Sequence, residues 1–343
     1  METAARLSPH AMLEALKAAA DPTRLRLLAL LADGELNVSD LTTILGQSQP
    51  RVSRHLKILA AAGLIERFRD GSWVFLSLAG GGVTEHLVRT ILANLDVSAG
   101  DIARDRGRAA GLAATREAAA QAYFAAHAAE WDSIRALHVA EGEVEAAVLK
   151  VLGPGPFDLL VDLGTGTGRM LELLAPRFKR GLGFDINAAM LAYARSRLSA
   201  AKIDHAHIKH GDLRHVRLPD GCVSVVVMHQ VLHFLTDPGA ALREAARLLA
   251  PGGQLLVVDF APHDLEFLRE SAAHVRLGFA DAQIEAWLAE CGLSVSATER
   301  LAPKRAAKSG QGGLTVNLWL GRHQPTPSGR ALKRRRNLEE TSS

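Results

Sequence analysis

A short apolar run, Leu159-Leu160-Val161-Asp162-Leu163, leads straight into Gly164-Thr165-Gly166-Thr167-Gly168, and then Met170, Leu171, Leu173 and Leu174 recur at helical spacing. A strand, a glycine turn and a helix amino terminus in immediate succession form a ligand cradle. Strand-like runs at Gly181–Phe184, Val223–Met228 and Leu255–Phe260 alternate with helical stretches, the pattern of a doubly wound, Rossmann-like α/β sheet, with Leu314–Leu320 expected as its edge strand. Asp185 ends the strand after the glycine turn, at a spacing where a carboxylate accepts from both ribose hydroxyls, and Asp212 follows the third strand. A pyrophosphate favours G-x-G-x-x-G, whereas this chain has G-x-G-x-G preceded by Asp162, a negative setting that suits an amino group or a sulfonium.

With 343 residues the chain is long enough for two cores, and the part before the glycine turn follows different rules. Short helices are expected at His10–Ala20, Pro22–Ala32, Val38–Leu45 and Gln49–Ala62, followed by alternating strands, 64–69 and 73–78, around Asp70-Gly71. On the helix from Gln49, Val52, Leu56 and Leu59 share one face, while Pro50, Ser53, Arg54 and Lys57 share the other with Arg51 beside them. Ser48 is placed as its N-cap, so the amino-terminal end is presented outward. Between Gln47 and Arg69 five basic residues face one acidic residue. A lone basic helix is more often a solvated face, but helix, hairpin and charge coincide here as in a DNA-reading module. Candidate DNA contacts are Ser48, Gln49, Arg51, Ser53, Arg54 and Lys57 on the helix and Arg67 and Arg69 on the hairpin.

The expected organisation is a mainly α module over 1–95, a linker rich in Ala, Arg and Gly over 96–120, an α/β domain over 121–322, and a disordered basic tail over 323–343. From Arg322 onward six basic residues stand against two acidic, so this tail alone accounts for the chain's net charge of +3 and global charge carries no argument about DNA. No apolar run approaches the roughly 20 residues of a membrane span, and the amino terminus has no secretory pattern, which predicts a cytoplasmic protein. Cys222 and Cys291 are too few and too far apart for a disulfide framework or a thiolate site.

Residues 10–95 resemble the ArsR/SmtB winged helix-turn-helix family through Asp21-Pro22-Thr23-Arg24-Leu25, the segment Ser48–Lys57, and Asp70-Gly71. The resemblance implies a transcriptional regulator that binds a double-stranded DNA operator with an inverted repeat as a homodimer. Many members carry two metal-binding cysteines in a Glu-Leu-Cys-Val-Cys-Asp-Leu segment. This chain has Glu35-Leu36-Asn37-Val38-Ser39-Asp40-Leu41, and its later helix offers His86 alone, so no metal site is expected.

Residues 121–321 resemble class I S-adenosylmethionine (SAM)-dependent methyltransferases of small molecules, through Tyr123-Phe124, Trp131-Asp132, Asp162 to Gly168, Asp185, Asp212 and Leu249-Ala250-Pro251-Gly252-Gly253. This implies SAM as cofactor: Asp162, Gly164, Thr165, Gly166 and Gly168 at its methionine part, Asp185 with Ile186 at the ribose, and Asp212 with Leu213 at the adenine. His229 and Gln230 would border the transfer site, and Tyr123 and Trp131 would either form a lid or simply pack. His229, His233 and His263 are candidate bases, each equally readable as a hydrogen-bonded structural histidine. Arsenic methyltransferases rely on several cysteines, a set that Cys222 and Cys291 do not supply. Two functions stay open: a regulator that also methylates a small-molecule acceptor, and a non-catalytic repressor whose operator affinity responds to SAM or S-adenosylhomocysteine.

Overall fold

The structure is a computed structural model that describes residues 7–70, 72–79, 83–96, 98, 100–128, 140–303 and 313–323. Helix α1 (Pro9–Ala19) starts where the Ser8 hydroxyl accepts from the Ala11 amide at 3.2 Å, and α2 (Pro22–Asp33) where Asp21 accepts from the Arg24 amide at 3.0 Å. After the two-residue strand β1 (Leu36–Asn37), Asn37 caps α3 (Val38–Leu45) by accepting from the Asp40 amide at 2.8 Å, and Gly46 ends it with a left-handed φ of +62°. The next helix, α4 (Gln49–Ala61), has Ser48 at the N-cap position with an extended backbone, but the Ser48 side chain makes no capping bond.

Strands β2 (Ile65–Asp70) and β3 (Trp73–Leu78) pair antiparallel from Ile65 opposite Leu78 to Asp70 opposite Trp73, and β1 joins the far side of β3. Leu27, Leu41, Ile44, Val52, Leu56, Leu59, Leu64 and Leu76 form the core beneath this wing, so the face read from the sequence as packed is the one that packs. Helix α5 (Val83–Ala93) follows, then α6 (Gly100–His127), a single 28-residue helix through most of the stretch expected to be a linker.

The second layer system begins with α7 (Glu141–Leu152), β4 (Phe157–Leu163), α8 (Arg169–Leu174), β5 (Phe178–Asp185), α9 (Ala188–Ala200) and β6 (Ala206–His210). It continues with β7 (Val223–His229), α10 (Pro238–Leu248), β8 (Leu249–Phe260), α11 (Phe267–Ser271), α12 (Asp281–Glu290), β9 (Leu293–Leu301) and β10 (Val316–His323). The sheet order is β6-β5-β4-β7-β8-β10-β9, parallel up to β8, with β10 antiparallel to both of its neighbours. Leu160, Val225, Val227 and Leu256 face one apolar layer, and Val161, Val226, Leu255 and Val257 face the other, as the two-residue period of a strand requires.

Leu314–Leu320, expected at the edge, lies inside the sheet. Every residue from Val316 to Leu320 is buried, because β8 and β9 cover both sides of β10 and helices cover both faces. The true edge is β9, whose alternation of polar and apolar residues left one side to solvent and gave no long apolar run. Among the described residues no helix is long and apolar enough to cross a membrane.

Candidate functional site

The carboxyl ends of β4, β5 and β6 open into a cleft of about 1060 Å³, open solvent included. Asp162, Gly164, Thr165, Gly166, Asp185, Ile186, Asp212, Leu213, His229 and Gln230 all line it. Gly164 has φ +77°, and a Cβ there would collide with the Val231 side chain, so only glycine allows the turn to lie this close to the loop after β7. Gly168 does not line the cleft. It starts α8 with φ +78°, and a Cβ would stand 3.0 Å from that of Ala194.

The acids differ in state. Asp162 accepts from the Thr165 hydroxyl at 2.6 Å, which fastens the strand end to the turn. Asp185 accepts from the Gly166 amide at 2.9 Å and the Asn187 amide at 2.8 Å, one on each oxygen. Burial pushes the Asp185 carboxyl above its ordinary value, and these amide bonds only partly oppose it. Burial also acts on Asp212, but the side-chain and backbone hydrogen bonds of Arg214 outweigh it and hold this carboxyl below the ordinary value. Arg214 grips Asp212 with Nη2 at 2.8 Å and reaches Glu117 with Nη1 at 2.7 Å. The glycine turn with Asp162 and Asp185 fits the polar groups of an adenosyl cofactor, whereas Asp212 is already paired with a guanidinium.

Of the histidines singled out as bases, His229 lines the cleft and is 8% exposed. His233 lies behind the wall in the 3-10 turn Leu232–Phe234, its Nδ1 2.7 Å from Asp259, whose other oxygen accepts from the Leu232 amide at 3.0 Å. That pairing holds the turn in place. His263 is not among the described lining residues; its amide donates to Leu277 and its Nδ1 accepts from the Leu265 amide. Tyr123 packs on His127 at 4.4 Å between ring centres, and Trp131 lies outside the described residues.

Sequence reasoning missed the contribution of α6. Its second half supplies Glu117, Ala120, Gln121 and Phe124 to the cleft, and the Asn187 amide group donates to Gln121 at 3.0 Å. The helix is also bound to the amino-terminal module from residue 105 to residue 116: Arg26 pairs with Asp105 at 2.6 Å, Arg106 with Asp33 at 2.6 Å, Arg116 with Asp40 at 2.6 Å, and Arg108 donates to the Ile44 carbonyl at 2.9 Å. The arginines of the stretch carry a signal only when partners distant in sequence are known. No group of three or more metal-ligating side chains occurs among the described residues.

On the amino-terminal module, Ser48, Gln49, Arg51, Ser53, Arg54 and Lys57 are exposed along one face of α4, opposite buried Val52, Leu56 and Leu59. Arg67 and Arg69 are exposed on β2. Cys222 and Cys291 are free, and burial pushes the Cys291 thiol up to about 11, away from reactivity.

Comparison with known proteins matches residues 21–67 to the family described as "Bacterial regulatory protein, arsR family" and residues 161–257 to "Methyltransferase domain". An arsenical resistance operon repressor of Escherichia coli is 48% identical over 64 residues, 18% of this chain and 55% of that protein. A malonyl-(acyl-carrier protein) O-methyltransferase of Serratia marcescens is 32% identical over 159 residues, 46% of this chain and 58% of that protein. An arsenite methyltransferase of Aquipseudomonas alcaligenes is 37% identical over 110 residues, 29% of this chain and 32% of that protein. The chain thus spans less than two thirds of the length of each of these relatives. It joins, in one polypeptide, an ArsR-family helix-turn-helix region to a class I methyltransferase domain.

Proposed function

We propose that this chain is a cytoplasmic, homodimeric DNA-binding regulator whose cleft binds SAM and methylates a small molecule. The carrying observation is the convergence of Asp162, Asp185 and Asp212 on a glycine turn at neighbouring strand ends. When bound, SAM supplies an electrophilic methyl group. The residues bind and orient: Asp185 takes the ribose hydroxyls, the Gly164–Gly168 turn lets the cofactor approach the backbone, and Phe124 and Phe234, edge to face at 4.7 Å, exclude water at the rim. His229 is the one candidate base among the described lining residues, and an acceptor that still holds its proton loses it there. The exposed face of α4 meets the operator, with Arg51, Arg54 and Lys57 on bases or phosphates.

The sensor reading has its own support. Helix α6 lines the cleft and is ion-paired to α2 and α3, so a ligand that shifts the helix acts directly on the module that carries α4. Calorimetric titration with SAM and S-adenosylhomocysteine tests the pocket shared by both readings. Asp185→Ala is expected to weaken SAM by about tenfold or more, as befits a lost charged hydrogen-bond acceptor. Unchanged affinity would remove the ribose role.

A further inference from the structure

The wing does not stand free. The Asp70 carboxylate, at the end of β2, accepts from the Leu277 amide at 2.9 Å, and the Asp70 carbonyl accepts from Arg269 at 3.0 Å. Arg269 also lies over the Trp73 ring at 4.0 Å, while the Ser72 amide donates to Glu266. Arg276 is 1% exposed, sits over the Phe75 ring at 3.6 Å and donates to Glu35 at 2.9 Å. Residues 266–277 therefore hold the hairpin at Asp70, Ser72, Trp73 and Phe75.

The contact is built to be separable. It consists of ion pairs and guanidinium-on-ring stacking rather than a continuous apolar seam, and a buried ion pair gains little over its desolvation cost. Nε and Nη1 of Arg276 are buried with no hydrogen-bond partner among the described residues, a cost that release into water would relieve. Asp70 and Glu35, which face Arg269 and Arg276, are both pushed upward by burial, those arginines opposing. The segment is also wired to the cleft, because the Val275 and Arg276 amides both donate to the carbonyl of His233, next to the cleft-lining Phe234.

We propose that residues 266–277 are an autoinhibitory latch: they hold the wing tip, and DNA must take the tip from them, so that docking and full operator engagement exclude each other. A hairpin whose Asp70 is buried and whose Trp73 and Phe75 rings are covered by Arg269 and Arg276 is not free to settle into a groove, whereas α4 is already exposed. The inference rests on the reading of α4 and the wing as the DNA-binding surface.

The test uses the full chain and a duplex selected from a random-sequence pool, with selection run separately on the wild type and on the double variant Glu266→Ala/Arg269→Ala. Both substitutions lie outside the DNA-binding module and the cleft lining, and SAM calorimetry on the variant reports whether the domain is folded. The variant is expected to bind its duplex roughly threefold or more tightly than the wild type at fixed salt, because the docked fraction no longer taxes the affinity. Hydrogen exchange on the wild type gives a second readout that needs no variant: the Leu277 amide should lose protection when the duplex binds. Equal affinities together with a Leu277 amide that stays protected on DNA overturn the latch, and if Arg54→Ala still abolishes binding, the DNA reading stands without it. If neither protein selects any duplex, the DNA reading falls and the latch with it.

Discussion

Asp185 and Asp212 are carboxylates of one cleft whose surroundings push their acidity in opposite directions. The folded value of Asp185 is raised, so its contribution to stability is fully present below the unfolded value and is lost as pH rises through the folded one. Ionising this buried carboxylate therefore costs stability, a cost that its proposed part in binding would offset. Asp185→Asn should remove this part of the pH dependence and cost about 1–3 kcal/mol, because its NH2 group must face one of the two amides that the carboxylate accepts from. Thermal melts of both proteins as a function of pH check this, and a pH dependence unchanged in the variant would contradict it. Asp185 was legible because strand, glycine turn and acid are close in sequence. The tie of Arg214 to Glu117 was not, since Glu117 is 97 residues away and arrives only when α6 folds against the sheet.

Among the elements, α2 and α4 begin alike in sequence but not in structure. Asp21 caps the Arg24 amide, whereas Ser48 makes no capping bond. Asp21→Ala should cost about 1 kcal/mol in urea unfolding and Ser48→Ala only a few tenths, about 0.3 kcal/mol. A reversed order would show that the Ser48 hydroxyl turns inward in solution. The faces of α4 were readable because a 3.6-residue period maps sequence onto packing directly. The place of β10 was not, because an apolar strand looks the same beside one neighbour as between two. The pairing of Val316 with Phe260 on one side and Leu301 on the other decided it.

At the scale of the whole molecule, α6 and the latch give the cleft two routes to the DNA-binding module. The pair between Arg116 and the nearly buried Asp40 anchors the first. If these routes couple the sites, SAM or S-adenosylhomocysteine should shift wild-type affinity for the selected duplex by about fivefold or more. In Arg116→Ala that shift should shrink while ligand affinity stays near wild type. Fluorescence anisotropy with no ligand, with SAM and with S-adenosylhomocysteine measures both, and an undiminished shift in the variant would take α6 out of the route. The sequence by itself determined the two cores, the exposed basic face of α4 and the acids around the glycine turn, because each depends on a period or spacing of at most some tens of residues. Only the tertiary structure decided that α6 is shared by both halves, that its Glu117 pairs with Arg214, and that Arg269 and Arg276 hold the wing. Those contacts join residues up to 241 positions apart, and a charged side chain carries no local sign of the partner that will desolvate and pair it.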